Sequence, residues 1–206
     1  MAATPYPSAH ERILAAAYEL FSRRSIRDVG VDELILRSGV ANATFYRHFA
    51  SKNDLVLAFL NRRERLWTYG AIVSEAKTRG SSAEEHLLAI FDIFDEWFHR
   101  EDYEGDPFVN ILIEMGPNHL LGKASLDHLA TVREQIRELA ISAKLRDPVE
   151  FSHSWQILMK GAIITAFMGE SEAARRTKTM AVWLIENHRP WQSGVEMAQS
   201  GDGTQQ

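Results

Sequence analysis

The stretch from Asp32 to Phe49, DELILRSGVANATFYRHF, gathers the side chains of this 206-residue chain that have most to offer another molecule. Asn42, Ala43, Thr44, Tyr46, Arg47 and His48 take the outward positions of a short helix whose Phe45 and Phe49 point the other way. Thr, Tyr, Arg and His supply hydrogen bonds to phosphate oxygens and base edges, while small residues near a helix start let its backbone approach a groove. Lys52, just beyond in Ser51-Lys52-Asn53-Asp54, is expected to reach a phosphate. The chemistry is that of nucleic-acid reading.

Such a helix has to be held by others. Gly39 can take a positive φ in a tight turn between two short helices, as a helix-turn-helix requires. In that arrangement Leu34, Val40, Phe45 and Phe49 face inward against Ile13, Ala17 and Phe21 of a preceding helix. Taken alone the pattern is weak: Tyr46 and Phe49 could equally be core aromatics.

The rest of the chain keeps a 3.6-residue apolar period with no convincing strand and no repeat. Leu87 to Phe98, Leu126 to Ala143, a helix beginning at Pro148 and carrying Phe151, Trp155 and Phe167, and a last one from Ser171 to just before Pro190 all follow it. The expected fold is all-α with about nine helices. It comprises a head at residues 8–68, a helical body at 69–190 and a flexible tail at 191–206.

Composition narrows the classes further. Hydrophobic residues make up 45% and charged residues 25%, while 12 Gly and 6 Pro are few for a loop-rich all-β protein. With no cysteine there is no disulfide framework, thiolate zinc site or cysteine nucleophile, and a reducing cytoplasm fits. No apolar run suits a bilayer, and the first residues have no signal-peptide pattern. The net charge of −5 hides an asymmetry: residues 1–65 hold 10 Lys and Arg against 7 Asp and Glu, and the remainder 13 against 21.

Catalytic signatures are missing: there is no phosphate loop, nucleophile elbow or His-Glu-x-x-His. His119, His128, His153 and Glu114 would have to meet in space to hold a metal, so no metal, cofactor or catalytic residue is expected. The acidic run Glu101, Asp102, Glu104, Asp106 lacks the spacing of a calcium loop.

From Ile13, Ala16 and Leu20-Phe21 through Ser38-Gly39-Val40, Thr44-Phe45-Tyr46-Arg47-His48-Phe49 and Lys52 to Leu55, about 45 residues in register, the sequence resembles the TetR family of bacterial regulators. The resemblance implies a three-helix DNA-binding head, a fourth helix over about 53–78 and a homodimer on a palindromic operator in double-stranded DNA. It also implies control by a ligand bound in the body. Gly30, Ile35, Ala41-Asn42 and Ala43 depart from the family's usual residues, which leaves the operator sequence open.

For the body, the resemblance implies a pocket for a small, largely apolar effector, lined by Phe91, Phe94, Phe98, Ile111, Met115, Trp155 and Met159, with Glu114, His119 and His128 as polar anchors. It also implies pairing through the last two helices. Gly161, Ala162, Ala166, Ala174 and Ala181 would permit close approach there, and Ile163, Phe167, Met180 and Leu184 would supply apolar contact. Coupling would run through the helix carrying Leu55, Phe59, Leu66 and Trp67. The competing reading is a helical small-molecule-binding or protein-interaction module that has the turn motif but no operator.

Overall fold

The computed structural model describes residues 7–65 and 72–190. Residues 1–6, the expected tail and the stretch of the expected fourth helix holding Leu66 and Trp67 lie outside these. The described residues form ten α-helices and no strand.

The head holds α1 (Ala9–Phe21), α2 (Val31–Ser38), α3 (Asn42–His48) and α4 (Lys52–Arg63). Ser8 and Ser51 cap α1 and α4, each accepting from a backbone N–H three residues on, which replaces a partner the first turn lacks. Gly39 closes α2 with φ +63°, a conformation in which a side chain would be strained. Leu34, Phe45 and Phe49 pack with Ile13, Ala17, Phe21, Leu55 and Phe59 in one buried cluster, as the helical spacing requires.

The body follows with α5 (Val73–Ala76), α6 (Ala83–Phe98), α7 (Pro107–Met115), α8 (Leu120–Ser142), α9 (Pro148–Phe167) and α10 (Ala173–His188). A capping box between Ser82 and Glu85 starts α6, Asp106 caps α7 ahead of Pro107, and Pro148 occupies the first turn of α9. Phe91, Phe94, Val132, Ile136, Phe151, Trp155, Met159, Ala181 and Ile185 fill a second core between α6, α8, α9 and α10. Burying so many large side chains, at roughly 1.5–3 kcal/mol each, holds the body helices together.

The two cores are not divided where the chain passes from head to body. Phe108 and Ile111 of α7 and Leu121 of α8 are buried in the head's cluster, so α7 lies against the head. No described helix is long and apolar enough to cross a membrane.

Candidate functional site: a nucleic-acid face and a buried cavity

α3 presents Asn42, Ala43, Tyr46, Arg47 and His48 to solvent, with Thr44 half-buried, while Phe45 is fully buried beneath them. The helix is fixed from below. Arg12 Nη1 donates to the Gly39 carbonyl at 3.1 Å, and His10 stacks on Phe49 at 5.1 Å with its other edge toward His48. Arg24, Arg37 and Arg62 are paired with Glu33, Glu19 and Glu11, whereas Arg47 makes no ion pair among the described residues. A rigid scaffold therefore offers an uncompensated guanidinium beside Tyr, Thr, His and Asn donors, a set suited to phosphates and base edges.

Lys52 is placed differently from the expectation. Its Nζ donates to the carbonyls of Ile26 and Val29 at 2.9 and 3.0 Å. The ammonium serves as a cap for the loop between α1 and α2, because those two orphan carbonyls lie within its reach. The structure thus gives Lys52 a positioning role in the head.

The same loop is held from the body. Glu114, in the last turn of α7, accepts from Ser25 Oγ at 2.8 Å and from the backbone N–H groups of Arg27 and Ile26 at 2.7 and 2.9 Å. Burial pushes this carboxyl up, but the three hydrogen bonds outweigh it and leave it below the ordinary carboxylate range. Lys52 takes the loop's carbonyls and Glu114 its amides, so residues 25–29 are tied to both α4 and α7. Glu114 is accordingly a clamp between head and body, and with Ile111 it lines an open cleft against Phe21 and Ile26.

The other residues expected in a pocket separate into groups. Ile111 is buried in the head-side cluster and Met115 packs against it, because α7 turns that face toward the head. His119 caps α8, its Nδ1 accepting from Leu121 N at 3.2 Å. Phe91 and Trp155 are closed into the body core with ring centroids 5.3 Å apart, and Phe98 packs over Trp97 and Tyr103. Phe94, Met159 and His128 do meet at a narrow cavity of about 50 Å³.

Sequence reasoning missed most of that cavity's wall: Arg63, Trp97, Asp106, Phe108, Val132 and Lys160 line it too. The signal available was a lone lysine inside the apolar run of α9. His128 stacks on Phe108 at 3.4 Å and sets its Nδ1 3.3 Å from Glu64 Oε1. Burial depresses the imidazole's pKa despite that carboxylate. Arg63, buried at the end of α4, donates to the Tyr18 hydroxyl and lies over the Tyr18 ring. Among the described residues no group of three or more His, Asp and Glu could hold a metal ion.

On the outer side of α9 and α10 the expected pairing residues also divide. Ala162, Ile163, Ala174 and Ala181 are buried within the protomer, and Leu184 packs against the same core, because these two helices pack on each other and α10 also on α6. Gly161, Phe167 and Met180 are exposed, Ala166 is half-buried, and beside them stand Ile157, Ile164, Met168 and Trp183. Those large apolar side chains, from 50% to 79% exposed, form the uncovered face.

Residues 13–59, spanning α1 to α4, match the family model described as bacterial regulatory proteins, tetR family. The fold agrees over most of its length. The structure of SCO4454, a TetR-family transcriptional regulator from Streptomyces coelicolor, superposes with a TM-score of 0.79 at 24% identity, covering 87% of this chain and 95% of that one. The head thus matches the TetR family model, and the described fold as a whole is that of TetR-family structures. Reduced NemR from E. coli shares the fold at 18% identity with a TM-score of 0.76, over 86% of this chain and 98% of its own. In sequence, the uncharacterized HTH-type regulator YvdT of Bacillus subtilis is 30% identical over 55% of this chain and 56% of its own length. The transcriptional activator FasR of Mycolicibacterium smegmatis is 40% identical over 44% of this chain and 40% of its own. The chain thus spans about half the length of these two relatives in alignment.

Proposed function

We propose that this chain is a DNA-binding transcriptional regulator of the TetR family that reads a palindromic operator as a homodimer. It acts in the cytoplasm as a repressor released by a small, largely apolar effector. The observation carrying this reading is α3: a polar, exposed helix whose Arg47 makes no ion pair among the described residues, set on a core that fixes its orientation. One such head alone has few cationic contacts and would bind DNA weakly, so specificity requires two. The exposed stripe of Ile157, Ile164, Met168, Met180 and Trp183 supports pairing through α9 and α10, with Gly161 offering open space to a partner helix. We take residues 8–68 as the head and 69–190 as the body, with α7 in contact with both.

Selection of bound sequences from a random duplex library at about 0.15 M salt, where weak charge contacts are largely screened, tests this directly. Enrichment of a palindrome with half-sites about one helical turn apart supports an operator-reading dimer. Failure to enrich any sequence favours the module without an operator.

A further inference from the structure

Lys160 interrupts an otherwise apolar stretch of α9, between Met159 and Ile163, both buried. Its side chain is about one-fifth exposed, and the ammonium donates to Asp106 Oδ2 at 2.5 Å, its one partner among the described residues. Asp106 Oδ1 is already engaged as the cap of α7, accepting from Phe108 N at 2.9 Å and Val109 N at 3.2 Å. The carboxylate is therefore well satisfied. The ammonium has three donors and uses one.

Two spaces meet at this pair. On the inside is the narrow cavity walled by Phe94, Trp97, Val132 and Met159; on the outside a groove of about 240 Å³ runs between α7 and α9, walled by Val109, Ile113, Ile164 and Phe167. Gly105, Asp106, Lys160 and Ile163 line both. Buried Arg63 stands on the inner wall with His128, whose Nδ1 lies 3.3 Å from Glu64 Oε1. A cationic head group would face the Lys160 ammonium and find Asp106, the one carboxylate among the described lining residues, occupied. An anionic head group would accept the ammonium's remaining donors while its apolar body lay along the groove.

We propose that the Lys160 junction binds the head of an apolar carboxylate whose body occupies the groove between α7 and α9. This names the ligand class within the effector reading given above and rests on that reading for its regulatory meaning. Binding of the ligand itself does not depend on DNA.

The test is calorimetric titration of the full chain at neutral pH with three probes of one shape and different heads: phenylbutanoate, phenylbutanol and phenylbutylamine. The acid is expected to bind at least about tenfold more tightly than the alcohol, and the amine most weakly. Lys160→Met should remove the acid's advantage and leave the alcohol's affinity within about twofold. Asp106→Asn keeps a capping side chain and removes the competing charge, so it should tighten the acid, and this variant decides the matter if Lys160→Met does not fold. An amine that equals the acid, an acid that binds Lys160→Met as it binds the parent, or no binding of the acid at all would each overturn the proposal. Operator selection without a probe is a separate measurement, so failure of the DNA reading leaves this result standing.

Discussion

Replacing Glu114 by Gln keeps the shape of the side chain and removes its charge. The carboxylate now accepts from three donors, Ser25 Oγ and the amides of Ile26 and Arg27, at 2.7 to 2.9 Å. A carboxamide has one oxygen and one NH2, so whichever way it turns, at least one backbone N–H faces another donor. Hydrogen bonds to charged groups contribute roughly 1.5–3 kcal/mol and neutral ones about 0.5–1.5 kcal/mol. Losing one and weakening the others, with solvent at the rim of the site, gives a cost of about 2 kcal/mol. For a chain of this size that is a melting temperature lower by roughly 4–8 °C. Because the carboxyl's pKa is lowered in the folded protein, its contribution is fully present above the unfolded value, about 4.3, and is lost as pH falls through the folded value. Parent and variant should therefore differ at neutral pH and converge in acid. Thermal melts across that range give the magnitude, and hydrogen exchange at the Ile26 and Arg27 amides gives the place. If those two amides keep their protection in Glu114→Gln, the clamp does not hold the loop and the reasoning is wrong.

Other substitutions separate positioning from contact. Arg47→Ala should leave the melt unchanged and flatten the salt dependence of DNA binding by about one unit per head, measured by anisotropy titration at several salt concentrations. Lys52→Met should instead lower the melting temperature by roughly 2–4 °C, since two loop carbonyls lose their donor, and any loss of DNA affinity follows from a loosened head. Trp183→Arg should shift sedimentation from dimer toward monomer with helical content retained. Ala181→Arg, at a fully buried site, should destabilise the body by more than about 4 kcal/mol in urea unfolding.

The positions of α1 to α3, α6 and α8 to α10 and of the turns between α2 and α3 and before α9 were legible because local chemistry decides them, whereas the short α7 was not. Gly39 takes its positive φ, Pro148 opens α9, and Phe45 and Phe49 turn inward as a 3.6-residue period demands. What a polar side chain does at long range was not legible. Glu114 meets partners 87 to 89 residues earlier in the chain, and no local pattern marks that meeting. Lys52 sits after a helix like a solvent-facing base, yet folds back onto carbonyls 23 and 26 residues before it. The small residues of α9 and α10 fit both an internal and an external helix seam. Ala162, Ala174 and Ala181 serve the internal one, and the external face is carried by large side chains such as Ile157 and Trp183.

α7 joins the cavity to the DNA-binding head. Its first-turn cap, Asp106, shares a wall of the cavity with Lys160, and its last turn carries Glu114 on the loop that leads into α2. Phe108 and Ile111 set its middle in the head's core while α8 of the body packs along it, so a helix of nine residues, roughly 13 Å long, bridges head and body. A ligand changes operator affinity only by the difference in its affinity for the two arrangements. A hundredfold change needs about 2.7 kcal/mol, within the range of one or two charged hydrogen bonds rearranged at Asp106 and Lys160. If α7 transmits that difference, Glu114→Gln should bind phenylbutanoate as the parent does and retain operator affinity without it, yet lose most of the fold-change in operator affinity that the probe produces. Anisotropy titrations of the selected operator, with and without saturating probe, measure that ratio for both proteins. Equal ratios would place the coupling in α4, through Arg63 and the contact of Glu64 with His128, and exclude α7 as its carrier.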